Sequence, residues 1–375
     1  MNKILYIGAY KEYSGYGQAC RGNVRALDAA GFDVKVLPCF RDSGIKLPKK
    51  YKYSKDWQPD KVVYHMTPIH FQKFYNPEFP GVIYTTFEAN LFPCKKAQSP
   101  EDWVSIMEKI GEVLVPSEYN KEALLESGYT GKVNIIPHPI DVTEFDNGYQ
   151  RNFKQLILDR TPHGIFDEQP YIFYSIAQWS ERKNIDGLLY AFISEFGQDD
   201  NVCLILKTYV ADKIGFFEIL ARVEEIRKDL NLPKVENIYL ITQHLSLEEI
   251  VGLHCLADCY VSPHKSEGAG IPIMEAMAAE NPVIVTGYTG NMEFCRKDNA
   301  NLLEAQKEPV KKQNIFIDWR LQYTGKMEWY NPDISQLKRL MRKLYKYRPR
   351  NIEGRKDMIE KFSFEEIGRK FKEVL

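Results

Sequence analysis

The chain has 375 residues, more than one hydrophobic core usually organises, so two domains of roughly 150–200 residues each are expected. A hydrophobic share of 44% beside 27% charged residues is that of a globular protein and excludes a disordered chain. With a net charge of −1 the molecule as a whole has no field to draw in nucleic acid or an anionic membrane, so any such attraction must come from a local patch.

In chain order, Lys3–Gly8 reads as a buried strand that passes directly into a polar loop. It lacks the apolar core and cleavage site of a signal peptide, and no stretch reaches the ~18 apolar residues of a membrane span. The expected location is cytoplasmic, with a peripheral place on a membrane left open. Residues 17–30 carry Cys20, Val24 and Leu27 at helical spacing and stop at Gly31, with the glycine-containing loop Ser14-Gly15-Tyr16-Gly17 at the entrance. Phe32, Val34 and Val36 alternate as a strand. Apolar runs at 61–64, 81–85, 112–115 and 132–136 then alternate with helical or loop segments, which predicts a parallel sheet covered by helices.

Residues 138–170 are rich in Pro, Asp, Asn and Gly without a period and read as the interdomain connection, with a boundary near 165/166. A second series follows: strands at 171–177, 202–207, 237–241, 259–262 and 282–285, and helices at 185–196, 213–230, 247–256 and 272–279. Helices at 333–347 and 364–374 end the chain, the last 20 residues forming a separate C-terminal segment. The prediction is α/β, with two Rossmann-like doubly wound domains facing a central cleft, where open α/β sheets bind ligands. The seven cysteines form no CxxC pair or His/Cys ligand spacing, and buried thiols in a reducing compartment are expected. Cys255 and Cys259 are predicted on one helix.

Ser262 to Ala279 (SPHKSEGAGIPIMEAMAA) is the most informative segment. A strand ends at Ser262, two glycines let the backbone approach a ligand, and Pro272 suits the first helical position. The free amides and partial positive charge of such a helix start make a diphosphate site. Glu275, about one turn into the helix, is placed to accept hydrogen bonds from a ribose diol, and Glu267 to point into the cleft. Either glutamate alone would read as a helix cap; the combination of strand, EGxG loop, Pro and second Glu favours the ligand site.

The Glu267–Glu275 pair, spaced E-x7-E within SEGAGIPIMEAMAAENPVIVT, closely resembles the signature of glycosyltransferase family 4, which has the GT-B fold and retains anomeric configuration. The resemblance covers most of the chain. It includes EVLVPSEYNK from Glu112, VNIIPHPID from Val133, QWSERKN from Gln178, YTGNMEF from Tyr288 and FSFE from Phe362. It implies that Glu275 binds the ribose, that Glu267 contacts and orients the donor sugar, and that Arg182 and Lys183 neutralise the leaving diphosphate. It further implies that the amides of Gly268, Ala269, Gly270 and Ile271 hold sugar and phosphate oxygens. Gly15 and Gly17 would approach the phosphate from the opposite domain, Gly290 would belong to a turn closing over the phosphates, and His65 would lie near the donor sugar. The terminal helix would cross back to the first domain.

The chain departs from the family at Ala269, where an aromatic is usual, and at Ala177-Gln178, where Gly-Arg is frequent, which brings Lys207 into consideration for the phosphates. His138-Pro139 stands where Asn-Gly is common. No D-x-D occurs, which fits cationic side chains rather than a metal, and no cofactor besides a UDP- or GDP-sugar co-substrate is expected. Gly15-x-Gly17 lacks the third glycine of the dinucleotide fingerprint, which argues against a dehydrogenase. His65 and His70 without a third ligand do not make a metal site. The basic–aromatic run Lys46 to Trp57 reads as a solvated loop or, more sharply, as a surface for an anionic acceptor, nucleic acid or phospholipid; a glycan is the third acceptor class. A non-catalytic nucleotide-sugar-binding protein and a GT-B epimerase or phosphorylase are the alternatives.

Overall fold

The computed structural model describes residues 2–146, 170–196, 201–209, 216–229, 231, 237–311 and 322–375. The expected domain boundary near 165/166 lies outside them, as does most of the predicted interdomain connection. Strands β1 (Lys3–Gly8), β2 (Asp33–Pro38), β3 (Lys61–His65), β4 (Gly81–Tyr84), β5 (Glu112–Val115) and β6 (Lys132–Ile135) form one sheet in the order β2-β1-β3-β4-β5-β6. Strands β7 (Tyr171–Gln178), β8 (Val202–Tyr209), β9 (Ile238–Ile241), β10 (Cys259–Ser262), β11 (Val283–Thr286) and β12 (Asn301–Leu303) form a second, ordered β12-β11-β10-β7-β8-β9. Every neighbouring pair in both sheets is parallel. Within each half these are the two common doubly wound orders, and the order reverses between β1 and β3 and between β7 and β10. A ligand crevice is expected beyond the carboxyl ends of those strands.

The helices are α1 (Gly15–Ala29), α2 (Pro68–Phe71), α3 (Trp103–Met107), α4 (Glu118–Glu126), α5 (Ile185–Glu195), α6 (Phe216–Asp229), α7 (Leu247–Leu256), α8 (Ile271–Ala278), α9 (Ile334–Tyr347), α10 (Ile352–Phe362) and α11 (Phe364–Val374). Strand burial follows from covering both faces: Tyr171 to Ser175 and Val202 to Leu206 are buried without interruption. α1 begins two residues before its predicted start because the Ser14 hydroxyl accepts the Gly17 N–H at 3.1 Å. Such a cap stabilises a helix by about 1 kcal/mol. Gly15 and Gly17 are therefore in the first turn of α1 rather than in a loop.

A helix pair and a hairpin tie the halves together. α10 and α11 contribute Met358, Phe362, Ile367 and Phe371 to the core that holds Val24 and Leu27 of α1. A hairpin of β13 (Ala305–Pro309) and β14 (Glu328–Pro332), antiparallel, leaves the second domain and buries Val310, Met327 and Trp329 among first-domain residues such as Phe87 and Trp103. Cys259 lies on β10, not on the helix that carries Cys255, because α7 ends at Leu256 and Asp258 already bonds β7. The free thiols are buried except for the half-buried Cys255.

Candidate active site

A cleft of about 1830 Å³ runs between the two sheets at their carboxyl ends. Its second-domain wall is built at the β7/β10 crevice. After β7 the chain makes a single 3-10 turn, Glu181–Lys183, and Asn184 takes a left-handed φ of 53° before α5. The Asn184 amide donates to Pro263 O at 3.0 Å, and Lys265 N–H donates to Arg182 O at 2.7 Å, so the two loops form one unit. α8 starts behind Gly270, whose φ of 91° suits only glycine well, with Pro272 in the first turn. Glu267 and Glu275 are not caps: no side chain bonds the helix start.

The loop between β10 and α8 is braced from below. Gly290 N–H donates to Glu267 O at 2.9 Å, and a side chain at position 290 would collide with the Gly268 carbonyl. Thr289, β-branched with a φ of 77°, accepts the Glu267 N–H on its hydroxyl at 3.0 Å. Backbone strain of this kind persists only where the surroundings over-determine it. The first domain braces the same loop: Asn120 Nδ2 donates to Gly268 O at 3.0 Å, and a side chain at 268 would meet Thr86 Oγ1.

Within the cleft, Glu267 is 6% exposed and ion-paired to both Lys183 and Arg182. Burial alone would raise its pKa, but Lys183 and Arg182 outweigh it and hold the carboxyl at about 2. Burial lowers the Lys183 pKa against the pull of Glu267. Arg182 Nη1 also donates to Ser266 O at 2.8 Å, and Nη2 lies 3.5 Å from Glu88 Oε1 of the first domain. Both cations are thus partnered by carboxylates within the cleft. Lys207 on β8 faces no carboxylate among the described residues, and burial brings its amine down to about 8.

Glu275 is 3% exposed and held from two directions. Gln18 Nε2 of α1 donates to Oε1 at 2.5 Å across the cleft. On the other side a buried chain fixes the proton positions. Asn281 Nδ2 donates to the His254 carbonyl and to Tyr174 Oη, Tyr174 then donates to His254 Nδ1 at 2.7 Å, and His254 Nε2–H faces Glu275 Oε2 at 3.3 Å. The carboxylate is thereby aimed at the cleft.

The cleft lining includes Gly15, His65, Arg182, Lys183, Lys207, Glu267, Gly268, Ala269, Gly270, Ile271 and Glu275. Gly17 and Gly290 do not line it. Gly17 packs on the Glu12 and Ala9 carbonyls, and Gly290 supports the Gly268 loop from behind. The 46–57 run is also absent from the lining: Tyr51 is buried with its hydroxyl on Asp28, and the Trp57 indole donates to Asp33. Gln18, Glu88 and His254 were not foreseen, since each reaches the site from a segment without a motif of its own. Among the described residues no group of three His, Cys, Asp or Glu is placed to hold a metal ion, and no helix is long and apolar enough to cross a membrane.

Residues 159–314 match the family model described as glycosyl transferases group 1. Alpha-monoglucosyldiacylglycerol synthase of Streptococcus pneumoniae (strain ATCC BAA-255 / R6) is 26% identical over 184 residues, 48% of this chain. That match spans only 38% of the curated relative's length. Among solved structures, sucrose-phosphate synthase from Thermosynechococcus elongatus superposes with a TM-score of 0.69 at 15% identity, over 100% of this chain and 98% of the other. HepE of Anabaena, solved with UDP and glucose, gives 0.68 at 13%, over 100% and 99%. The fold is GT-B. In GT-B terms the β2-β1-β3-β4-β5-β6 sheet supplies the N-terminal wall, with His65 at the end of β3. The second sheet supplies the wall with both glutamates, Lys183 and the α8 helix start.

Proposed function

We propose that the chain is a retaining glycosyltransferase of family 4 that moves a hexosyl group from a UDP- or GDP-sugar to an acceptor hydroxyl without a divalent metal. The observation that carries this reading is Glu275, a buried carboxylate aimed into the cleft one turn inside α8, beside the helix start. The ribose hydroxyls donate to Glu275, displacing Gln18. The diphosphate takes the amides of Ala269, Gly270 and Ile271 and the positive end of the α8 dipole. The partial match to the group-1 glycosyltransferase model and the GT-B neighbour that holds UDP and glucose support the same assignment.

In the reaction the bond from the anomeric carbon to the phosphate oxygen breaks, with its electron pair leaving on phosphate. The acceptor oxygen bonds to that carbon from the same face, and its proton passes to the leaving phosphate. Lys183, Arg182 and Lys207 meet the charge developing on the diphosphate, and fixed charges of this kind are commonly the largest catalytic term. Glu267 shares Lys183 and Arg182 with the phosphate and orients the sugar, and His65 approaches the sugar from the first domain. The acceptor enters from the first-domain side; a glycan, lipid or nucleic acid hydroxyl meets the same chemistry.

The test is Glu275→Ala. A lost hydrogen bond to a charged group is worth about 1.5–3 kcal/mol, so nucleotide affinity falls roughly 10- to 100-fold, read by calorimetric titration in EDTA. Undiminished donor binding and turnover in this variant would refute the assignment.

A further inference from the structure

The first-domain wall carries two buried histidines from different segments, His65 at the end of β3 and His138 after β6. Their rings lie 21° from parallel with centroids 6.3 Å apart, at 1% and 5% exposure, and both belong to the cleft lining. Each Nδ1 meets a tyrosine hydroxyl, and the other bonds of that hydroxyl decide where the ring proton sits.

Tyr84 donates its only hydroxyl proton to Ile136 O at 2.5 Å, so at 3.2 Å His138 Nδ1–H must be the donor to Tyr84 Oη. His138 Nε2 is left as a bare lone pair. Tyr6 is set the other way. Its hydroxyl accepts from Asn23 Nδ2 at 3.0 Å and donates to His65 Nδ1 at 2.8 Å, which leaves the proton of His65 on Nε2. Burial lowers the pKa of both rings, that of His138 to about 4, so both are neutral at neutral pH. The wall therefore presents one imidazole N–H donor and one imidazole acceptor side by side.

On the nucleotide-sugar reading above, this is the place of the transferred sugar. The Tyr16 ring lies 5.4 Å from His65, its hydroxyl donates to Thr86 O at 3.2 Å, and Thr86 abuts Gly268 of the sugar loop. We propose that His65 and His138 grip one hydroxyl of the donor hexose between them. His65 Nε2–H donates to its oxygen, the hydroxyl donates to His138 Nε2, and His138 thereby selects a free hydroxyl at that position. A deoxy or alkylated sugar leaves the lone pair unpaired, and sites built to hydrogen-bond a hydroxyl reject analogues that lack it. The proposal rests on the nucleotide-sugar reading above and adds a specificity-determining residue to it.

Two measurements test it. Calorimetric titrations compare UDP with UDP-glucose, UDP-galactose and UDP-N-acetylglucosamine, and GDP with GDP-mannose, on the wild type and on His138→Phe. For the sugar nucleotide that the wild type prefers, the affinity gained over its parent diphosphate drops about 5- to 10-fold in the variant, the measure of one hydrogen bond, while the parent diphosphate binds within about twofold. An equal loss for diphosphate and sugar nucleotide, or no loss for either, overturns the pair and leaves the donor reading standing. Failure of the wild type to bind any nucleotide removes the donor reading, and the pair with it. Independently of any variant's folding, ¹⁵N NMR of histidine-labelled wild type is expected to show His138 protonated on Nδ1 and His65 on Nε2. A proton on His138 Nε2 overturns the proposal.

Discussion

Lys207 differs from the other cationic side chains of the cleft in its partners. Arg182 and Lys183 are held by Glu88 and Glu267, whereas Lys207, half-buried, faces no carboxylate among the described residues, and its partial removal from solvent brings its pKa down to about 8. A diphosphate beside it restores the charged form, so its pKa in the complex rises again. The sign follows: with the free amine at about 8 and the bound one higher, binding takes up a proton as pH rises above 8, and affinity falls in the same range. Calorimetry in buffers of different ionisation enthalpy at pH 8.5–9 should show uptake approaching about one proton, and Lys207→Met should abolish it. Unchanged uptake in that variant would remove Lys207 from the phosphate site. At this scale the two glutamates were legible because they share one helix start, a short-range pattern. Gln18, Glu88 and His254 were not, since their roles exist only once α1, the segment after β4 and α7 are folded around that helix.

Among elements, the Gly268 loop is shaped by its supports as much as by a ligand. The Cβ of an alanine at 290 meets the Gly268 carbonyl, a backbone atom with nowhere to move, whereas at 268 the obstacle is the Thr86 hydroxyl, a side chain able to rotate. Gly290→Ala should therefore destabilise the fold by about 1–3 kcal/mol or more through overpacking, and Gly268→Ala by less. Thermal melts of both variants check the order, and the reverse order would show that the loop is braced differently. The strands of both sheets other than β12 read well from sequence, because parallel strands covered on both faces are near-continuous apolar runs. α10 did not. It buries Gly354, Asp357, Met358 and Phe362 while Ile352 and Ile359 are half or more exposed, so its apolar residues mark no single face. The β13–β14 hairpin was silent for a similar reason: its sequences, AQKEP and EWYNP, alternate only weakly, and its anchor Trp329 is buried in the other domain.

At the scale of the molecule the two halves are tied at several places around the cleft. Gly268 O bonds Asn120, the Glu118 N–H donates to Glu293 at 3.0 Å, the Tyr13 and His244 rings lie 3.7 Å apart, and Tyr323 and Trp329 of the hairpin segment bond Glu88. α11 closes the far side against α1. A further tie, Gln18 to Glu275, occupies the place claimed for the ribose, so nucleotide binding must displace it. A crystal structure of the protein with UDP in EDTA is the direct test. It should show the ribose hydroxyls on Glu275 with Gln18 swung away, and diphosphate oxygens on the amides of Ala269 to Ile271 within reach of Lys183 and Lys207. A nucleotide bound elsewhere, or one that leaves Gln18 on Glu275, would contradict the account.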